Sequence, residues 1–326
     1  MRSPMVALLA ALFAAALVTP AQAQDYPSKA VTVTLALAAG TGMDVVARTW
    51  GEQLAQSLGK PVVFDNRPGA NGIVAANAVK NAPADGHALL VASSAALAVN
   101  TTTYKQLPYD PQKDFVPIAV YLKSPFVLVV HPSLPVRSVK ELADYVKARP
   151  AQLSYSSTGP GGAPRLATEL FMRHYGLTIT HVPYKNSPQS IVDVAAGHVQ
   201  LAFAEAAASR AFIRDKRLRA LAVSSLTRFN SLPDVPPLAE AMGRPDLEAV
   251  SWHALVAPAA TPRAVMNRLH GEMARIFNLP EVNKAITSLD LIPAPQASIE
   301  SHQQYIAAEA RKWGDLVRRL GLAGSQ

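Results

Sequence analysis

The sequence predicts an α/β protein whose two lobes enclose a ligand cleft. Three observations support this fold class. Aromatic residues make up only 6% of the chain while aliphatic residues dominate, short Val- and Leu-rich runs alternate with helical patterns, and the same alternation begins again near residue 126. Alternation of this kind builds, in each lobe, a mostly parallel sheet flanked by helices, and it disfavours an aromatic-rich β-sandwich.

The first unit is expected to have the order strand, helix, strand, helix, strand. Alternating apolar residues indicate strands, and apolar residues at helical spacing indicate helices. The strands are expected at 31–37, 61–64 and 88–92, and the helices at 43–58 and 73–81. Because crossovers between strands of one sheet are right-handed, these three strands should be parallel.

A second unit of similar design begins at residue 126. Its expected strands are the run FVLVVHP from residue 126, then 153–156, 179–182, 199–203 and 219–224, with helices at 138–148, 166–175 and 188–197. A strand at 249–257 and helices at 262–278, 281–289 and 298–320 follow, and the last helix should pack back on the first unit. We therefore expect lobe 1 to comprise residues 24–125 and 246–326, lobe 2 residues 126–245, and the cleft to lie at the strand ends.

Residues 1–23 predict a secretory signal peptide. Arg2 precedes an apolar stretch from Met5 to Val18, and the small-residue pattern that ends at Ala23 predicts cleavage there, which leaves 303 of the 326 residues. Fourteen apolar residues are too few to span a bilayer. The chain has no cysteine for a disulfide or a lipid anchor, so we expect a protein free in a Gram-negative periplasm.

The net charge of +8 favours anionic partners without identifying one. Lys and Arg are scattered rather than gathered in a stripe, so no nucleic-acid partner is expected. The eight histidines have no metal-binding spacing and no G-x-S-x-G motif is present, so we expect no metal, no cofactor and no serine hydrolase.

The run LALAAGTGMDVVAR predicts a strand, a glycine-rich turn and a helix start, which together form an anion site. A dinucleotide loop is one interpretation, since Gly40 and Gly42 match the start of G-x-G-x-x-G. Val45 stands at the third glycine position, however, and disfavours it. Residues 156–165, also rich in glycine and hydroxyls, lie in the other lobe, so the two loops together favour a site for a small anion.

A set of short segments, in the same order along the chain, carries a family resemblance. The segments are Tyr26-Pro27-Ser28-Lys29, Asn66-Arg67-Pro68-Gly69-Ala70, Pro83-Ala84-Asp85-Gly86, Leu107-Pro108-Tyr109-Asp110-Pro111, Asp114-Phe115, His181-Val182-Pro183-Tyr184-Lys185, Leu218-Arg219-Ala220-Leu221-Ala222-Val223, Leu232-Pro233-Asp234-Val235-Pro236, Ala257-Pro258 and Thr261-Pro262. Together they resemble the periplasmic solute-binding proteins of tripartite tricarboxylate transporters, the Bug family.

The resemblance implies a two-lobed periplasmic binding protein fold, type II-like, and no catalysis. Such a protein closes on a small carboxylate and delivers it to the membrane permease subunits, and we expect it to be a monomer. Carried over from the family, the ligand-binding residues are Ala38, Ala39, Gly40, Thr41, Gly42, Ser93, Ser94, Ala95, Ser157, Thr158, Gly159, Gly161, Gly162 and Tyr184.

Three departures from the family pattern bear on the ligand. Leu37-Ala38-Ala39 stands where prolines usually precede the first glycines. Arg165 replaces a frequent histidine and either takes a second carboxylate of the ligand or points to solvent; the first alternative favours a dicarboxylate, aromatic ones included. Phe203-Ala204-Glu205 lacks an aspartate that could pair with a ligand ammonium group, so an amino acid is disfavoured unless Glu205 substitutes.

Further alternatives stay open from the sequence. Asp44 suits the helix dipole and an i,i+4 pair with Arg48 better than a ligand contact. Trp252 suits the cleft floor and the lobe core equally. A binding protein could also present its ligand to a membrane signalling receptor, and an exported enzyme on a similar fold is the third candidate.

Overall fold

The computed structural model describes residues 26–157, 159, 161–185, 187–245 and 247–326. The predicted signal peptide at 1–23 lies outside the described residues, and so does Thr158. Within the described part of the chain, no helix combines the length and the apolar character needed to cross a membrane.

Six strands form the first sheet, and we call this sheet with its helices lobe 1. The strands are β1 (Val31–Leu35), β2 (Val62–Asn66), β3 (Ala88–Ser93), β4 (Phe115–Ser124), β10 (Ser251–Pro258) and β11 (Ile292–Pro293). Their order is β11-β4-β10-β3-β1-β2. The predicted parallel pairing of the first three strands is confirmed, since β1 pairs in parallel with β2 and β3.

Five strands form the second sheet, which with its helices is lobe 2. The strands are β5 (Phe126–Val130), β6 (Ser154–Ser157), β7 (Thr180–Pro183), β8 (Leu201–Glu205) and β9 (Arg219–Val223), in the order β7-β6-β8-β5-β9. Both sheets are mixed, although most strands of each sheet run in one direction, as the sequence predicts. β10 enters the first sheet antiparallel to β3 and β4, and β5 lies antiparallel to β8 and β9, because each strand returns from the other lobe in the opposite direction.

The eight helices that the sequence predicts lie within a few residues of their expected positions, and the described residues hold four more, at 100–103, 111–114, 206–214 and 238–241. The helices are α1 (Gly42–Leu58), α2 (Ile73–Lys80), α3 (Asn100–Thr103), α4 (Pro111–Asp114), α5 (Val139–Lys147), α6 (Ala163–Tyr175), α7 (Ser187–Ala195), α8 (Ala206–Arg214), α9 (Leu238–Ala241), α10 (Arg263–Ile276), α11 (Pro280–Thr287) and α12 (Ile299–Arg319). A 3₁₀ turn at Ala70–Gly72 precedes α2, and a π-helix at Ala95–Val99 precedes α3.

Local sequence explains several helix ends. Ser138 and Ser298 cap α5 and α12, each accepting a hydrogen bond from the backbone N–H three residues on. Gly59 and Gly176 end α1 and α6 with a φ of 66°, a left-handed conformation that glycine adopts without strain.

The chain crosses from lobe 1 to lobe 2 between β4 and β5, and returns between β9 and β10. Ser224 ties the two crossings together. Its hydroxyl accepts from the Phe126 N–H at 2.8 Å, its own N–H donates to the Phe126 carbonyl at 2.8 Å, and its carbonyl accepts from the Ala249 N–H at 3.1 Å. Both crossings are therefore held at one narrow point, as a hinge requires.

The C-terminal helix α12 packs on lobe 1, as the sequence predicts. Glu309 is buried there and accepts hydrogen bonds from the indole N–H of Trp252 at 3.0 Å and of Trp313 at 2.8 Å. Trp252 is completely buried, so it belongs to the lobe core rather than to the cleft floor.

Stability is expected to fall as the pH is lowered from 6.5 toward 4, because His302 of α12 is buried as the neutral form. Burial, with His270 as the second cause, lowers the pKa of His302 from 6.5 to about 4. In this window the unfolded chain takes up a proton that the folded chain does not, which costs about 1.4 kcal/mol per pH unit. The free energy of unfolding, measured with urea at several pH values, should depend less steeply on pH in His302→Gln, because one fewer proton is taken up on unfolding. An unchanged pH dependence would contradict the prediction.

Candidate functional site

Loop 1, residues 38–42, connects β1 to α1. Thr41 caps the helix: its hydroxyl accepts from the Asp44 N–H at 3.4 Å and donates to the Ala38 carbonyl at 3.0 Å. Gly40 has a φ of 78°, a conformation that a side chain would strain. Ala39 and Gly40 are exposed, while Gly42 begins α1, where the first N–H groups have no acceptor within the helix.

Asp44 fixes the shape of loop 1 from within. Its buried carboxylate accepts from the Gly40 N–H at 2.9 Å, the Asn66 side-chain amide at 3.0 Å and the Arg48 guanidinium at 3.1 Å. Burial opposes ionisation, but these three bonds outweigh it and hold the pKa of Asp44 below its usual range. Asp44 therefore serves the helix start and pairs with Arg48, as the i,i+4 spacing predicts.

Loop 2, residues 157–162, connects β6 to α6 in the other lobe. Gly159 has a φ of 107°, and Gly162 is the N-cap residue of α6 with no side chain to cap the helix. Pro164 has no N–H, so the N–H groups of Ala163 and Arg165 are the ones that Gly162 leaves without a side-chain cap, as an anion site requires.

The hydroxyl of Ser157 is held by groups inside lobe 2. It lies 3.2 Å from the Gly159 carbonyl and 2.7 Å from Nε2 of His181 on the neighbouring strand. A hydroxyl has one proton, which goes to the carbonyl, so Nε2 of His181 is the donor in the second bond. Burial, with Arg165 as the second cause, lowers the pKa of His181 to about 4, which keeps the ring neutral. The sequence did not reveal this partner.

The end of β3 supplies the third side of the site. Ser93 is partly buried, and the hydroxyl of Ser94 lies 2.9 Å from that of Ser251 on β10. Ala95 begins the π-helix, whose Ala96 carbonyl accepts from the hydroxyl of Tyr109 at 2.8 Å. The hydroxyl of Ser94 is thus hydrogen-bonded to a neighbouring strand, while Ser93 and Ala95 are partly accessible to solvent.

Loop 1 and loop 2 each lie close to the opposite lobe. A Cβ built on Gly42 would lie 3.7 Å from the Ala207 Cβ at the start of α8. A Cβ on Gly159 would lie 2.9 Å from Oδ1 of Asn71, and one on Gly161 would lie 3.3 Å from Oδ1 of Asn100. Loop 1 therefore faces α8, and loop 2 faces lobe 1 at a distance that admits no side chain on Gly159.

Two further predicted ligand contacts, Arg165 and Tyr184, are engaged within lobe 2. The guanidinium of Arg165 lies along α6 with Nε 3.5 Å from Oε1 of Glu169, and only 14% of its side chain is exposed. The hydroxyl of Tyr184 donates to Asp193 at 2.7 Å, and burial, followed by Asp193, raises the pKa of Tyr184 to about 12. A ligand contact by either residue stays a prediction.

Glu205 and His253 differ from these side chains because neither has a partner among the described residues. Glu205 ends β8 and is the N-cap residue of α8, yet its side chain caps nothing, and burial raises its pKa. His253 lies opposite Ser93 in the pairing of β10 with β3, and its Nδ1 is buried without a hydrogen bond. The sequence predicts no role for His253, since a strand histidine carries no local signal.

An ion pair connects the lobes beside the cleft. Arg210 of α8 donates to Oδ2 of Asp290 at 2.5 Å and to the Ser288 carbonyl at 2.9 Å. Ser231 of lobe 2 donates to the same carboxylate oxygen at 2.6 Å. Asp290 follows α11 in lobe 1 and its side chain is only 6% exposed, so one carboxylate joins two segments of the opposite lobe.

Comparison with known proteins places this architecture in a family. Residues 46–322 match the family model described as tripartite tricarboxylate transporter family receptor. A protein from the tcbD-tcbE intergenic region of Pseudomonas sp. strain P51 is 34% identical over 309 residues, which cover 94% of this chain and 91% of that protein. BugT of Bordetella pertussis is 33% identical over 308 residues, 94% of each chain.

Solved structures agree with the fold. Rpa4515 of R. palustris, determined with adipate, is 32% identical with a TM-score of 0.85, and the match covers 91% of this chain and 99% of that one. MatC of Rhodopseudomonas palustris, determined with bound malate, is 28% identical with a TM-score of 0.82, and the match covers 90% of this chain and all of that one, 100%.

The two mixed sheets, the hinge and the glycine-rich loops that each lie against the opposite lobe define a periplasmic-type solute-binding protein. The chain belongs to the tripartite tricarboxylate transporter receptor family, as the sequence resemblance predicts. Members of this family are solute-binding receptors and not enzymes, which removes the exported enzyme from the candidates.

Replacing Asp44 by Ala is expected to destabilise lobe 1. The change leaves the Gly40 N–H and the Asn66 amide without their acceptor, and bonds to a charged group contribute about 1.5 to 3 kcal/mol each. We expect a loss of about 2 kcal/mol in urea unfolding. Arg48→Ala, which removes one half-exposed partner, should cost less than about 1 kcal/mol; equal losses for the two variants would contradict this role of Asp44.

Replacing Asp290 by Ala is expected to favour the open form of the ligand-free protein. The variant loses its bonds to Arg210 and Ser231. Because the arginine is partly exposed, we expect this loss to destabilise the closed form by about 1 kcal/mol, which shifts the ratio of closed to open forms about fivefold. Small-angle X-ray scattering should show a larger radius of gyration. Arg214→Ala is the matched control, since that arginine of α8 pairs with its chain neighbour Asp215; an equal expansion there would contradict the assignment.

Proposed function

We propose that this protein captures a small carboxylate in the periplasm by closure of its two lobes and delivers it to the membrane permease of a tripartite tricarboxylate transporter. The observation that carries the proposal is that two glycine-rich strand-to-helix loops, one from each lobe, each lie against the opposite lobe, with Gly42 near Ala207 and Gly159 near Asn71. Helix starts that meet in a cleft favour an anion through their unpaired N–H groups and their dipoles.

The comparisons support a carboxylate ligand. Rpa4515 was determined with adipate and MatC with malate, both dicarboxylates, and both structures match this chain over its length. Together with the basic net charge of +8, these relatives favour a dicarboxylate, aromatic ones included. Export by the signal peptide at 1–23 and action as a monomer belong to the same proposal.

We assign the ligand contacts to the residues carried over from the family. In lobe 1 these are the loop 1 backbone and the Ser93–Ala95 segment, and in lobe 2 the loop 2 backbone and Tyr184. The lobes would move as bodies that divide at residues 125/126 and 245/246, on either side of the Ser224 bonds. Ser157 contributes by holding loop 2 in shape, since its hydroxyl is already bonded to His181 and Gly159.

A thermal-shift panel tests the proposal on the mature chain, residues 24–326, stripped of ligand. Mono-, di- and tricarboxylates, aromatic acids and amino acids are compared. A specific ligand at a hundredfold its Kd adds about 2.7 kcal/mol, which for a chain of this size raises Tm by about 4 °C. We expect at least one dicarboxylate to give this rise, and a panel without any response would refute the proposed function.

A matched pair of glycine variants tests whether closure carries the binding. The Cγ atoms of Gly42→Val would meet Ala207 and Leu289, whose atoms lie 3.7 and 3.5 Å from a Cβ at this position. The lobes could then not close on a ligand, and the ligand-dependent rise in Tm should be lost. Gly271→Val is the control, because a Cβ on Gly271 of α10 meets nothing within 4 Å.

A further inference from the structure

The carboxyl group of Glu205 lies at the cleft end of lobe 2 without a partner. The residue precedes Ala207, which faces Gly42 of loop 1, and it pairs with Phe126 at the crossing between lobes. Its side chain is partly buried, and it neither caps α8 nor forms an ion pair with any described residue. A carboxylate taken from water without a cation or N–H donors is unstable, so burial raises the pKa of Glu205 and favours the neutral acid.

His253 lies at the cleft end of lobe 1, also without a partner. Trp252 points to α12, so the alternation of the strand places His253 on the opposite face, which carries α1. The residue is 7% exposed, and burial lowers its pKa to about 4, so the ring is neutral. Its position opposite Ser93 sets it beside a predicted ligand contact.

The two ring nitrogens of His253 have different surroundings. Nδ1 is sealed among protein atoms with no acceptor and no donor, whereas Nε2 is not sealed and makes no hydrogen bond within the described part of the chain. A neutral imidazole carries one proton, and an N–H without an acceptor is costly. The proton therefore belongs on Nε2, which can reach an acceptor in the cleft.

We propose that Glu205 and His253 contact the ligand as neutral hydrogen-bond donors, one from each lobe, and that they select dicarboxylates that carry no ammonium group. The inference rests on the proposed function and names the ligand class of the same site. Neutral Glu205 offers an O–H and His253 an N–H, and the helix starts add backbone N–H groups. Carboxylate oxygens only accept hydrogen bonds, so the O–H of Glu205 and the N–H of His253 both find an acceptor in such a ligand.

The other charged side chains at the site are already engaged. Asp44 is bonded to loop 1, and Arg165 lies beside Glu169. A ligand ammonium group, which only donates, would face donors on both lobes and lose its hydration without compensation. Discrimination against amino acids therefore comes from groups left unpaired and not from a steric barrier.

The experiment compares ligands in matched pairs that differ only by a 2-amino group: succinate with aspartate, glutarate with glutamate, and adipate with 2-aminoadipate. Isothermal titration of the wild-type mature chain should show that the amino member of each responding pair binds at least about tenfold more weakly. A wild type that binds no member of any pair refutes the proposed function and this assignment together.

Two variants of Glu205 separate the neutral acid from an anion. Glu205→Gln keeps the shape and an N–H donor but cannot ionise, so dicarboxylate affinity should stay within about threefold of wild type. Glu205→Leu removes the donor and should lower that affinity about tenfold. Amino acids that bind as well as dicarboxylates, with their binding abolished in Glu205→Gln, would overturn the proposal and make Glu205 an anionic partner of ammonium.

His253 is tested in the same way. His253→Phe keeps a planar ring without a donor and should lower dicarboxylate affinity about tenfold, while His253→Gln, which offers an N–H, should recover part of it. The Tm of each ligand-free variant shows whether it is folded. Dicarboxylate binding that is unchanged in folded His253→Phe, while Gly42→Val abolishes it, would overturn the role of His253 and leave the proposed function intact.

Discussion

The two loops of the cleft depend on the same kind of interaction. In each lobe, a polar side chain forms hydrogen bonds with groups of the loop and holds the loop in shape. In loop 1 this side chain is Asp44, which holds Gly40 and Asn66. In loop 2 it is His181, which donates to Ser157 and so orders the turn toward Gly159. Because these side chains are bonded within their own lobes, each loop offers a ligand the backbone N–H groups of its helix start, and these need no rearrangement before it binds.

The sequence predicts most elements because their signals are local. Helical spacing and caps identify α1, α5 and α12, and both cleft loops follow from glycine positions between a strand and a helix. β4 is missed for a physical reason. It is buried on both faces, which removes the alternation of apolar and polar residues, and Pro117 argues against a strand although it lies where the pairing with β10 shifts register.

What the sequence does not reveal are contacts between distant segments. Ser157 meets His181 only because β6 and β7 pair in parallel, and Asp290 meets Arg210 only because the lobes approach each other. The antiparallel pairing of β10 cannot be predicted from the sequence for the same reason, since its partners β3 and β4 lie more than a hundred residues earlier in the chain. Family resemblance supplies the cleft loops, but the unpartnered Glu205 and His253 become evident only once burial and pairing are known.

The position of β10 also determines the order in which the two lobes can be completed during synthesis. This strand lies between β3 and β4 in the middle of the first sheet, yet it follows the whole of lobe 2 in the sequence. Until residues 251–258 have been synthesised, β1, β2 and β3 cannot join β4, and α12 has no complete surface to cover. The segments of lobe 2 are continuous and can pair early, whereas lobe 1 is completed last. A chain built in this way stays unfinished for most of its synthesis.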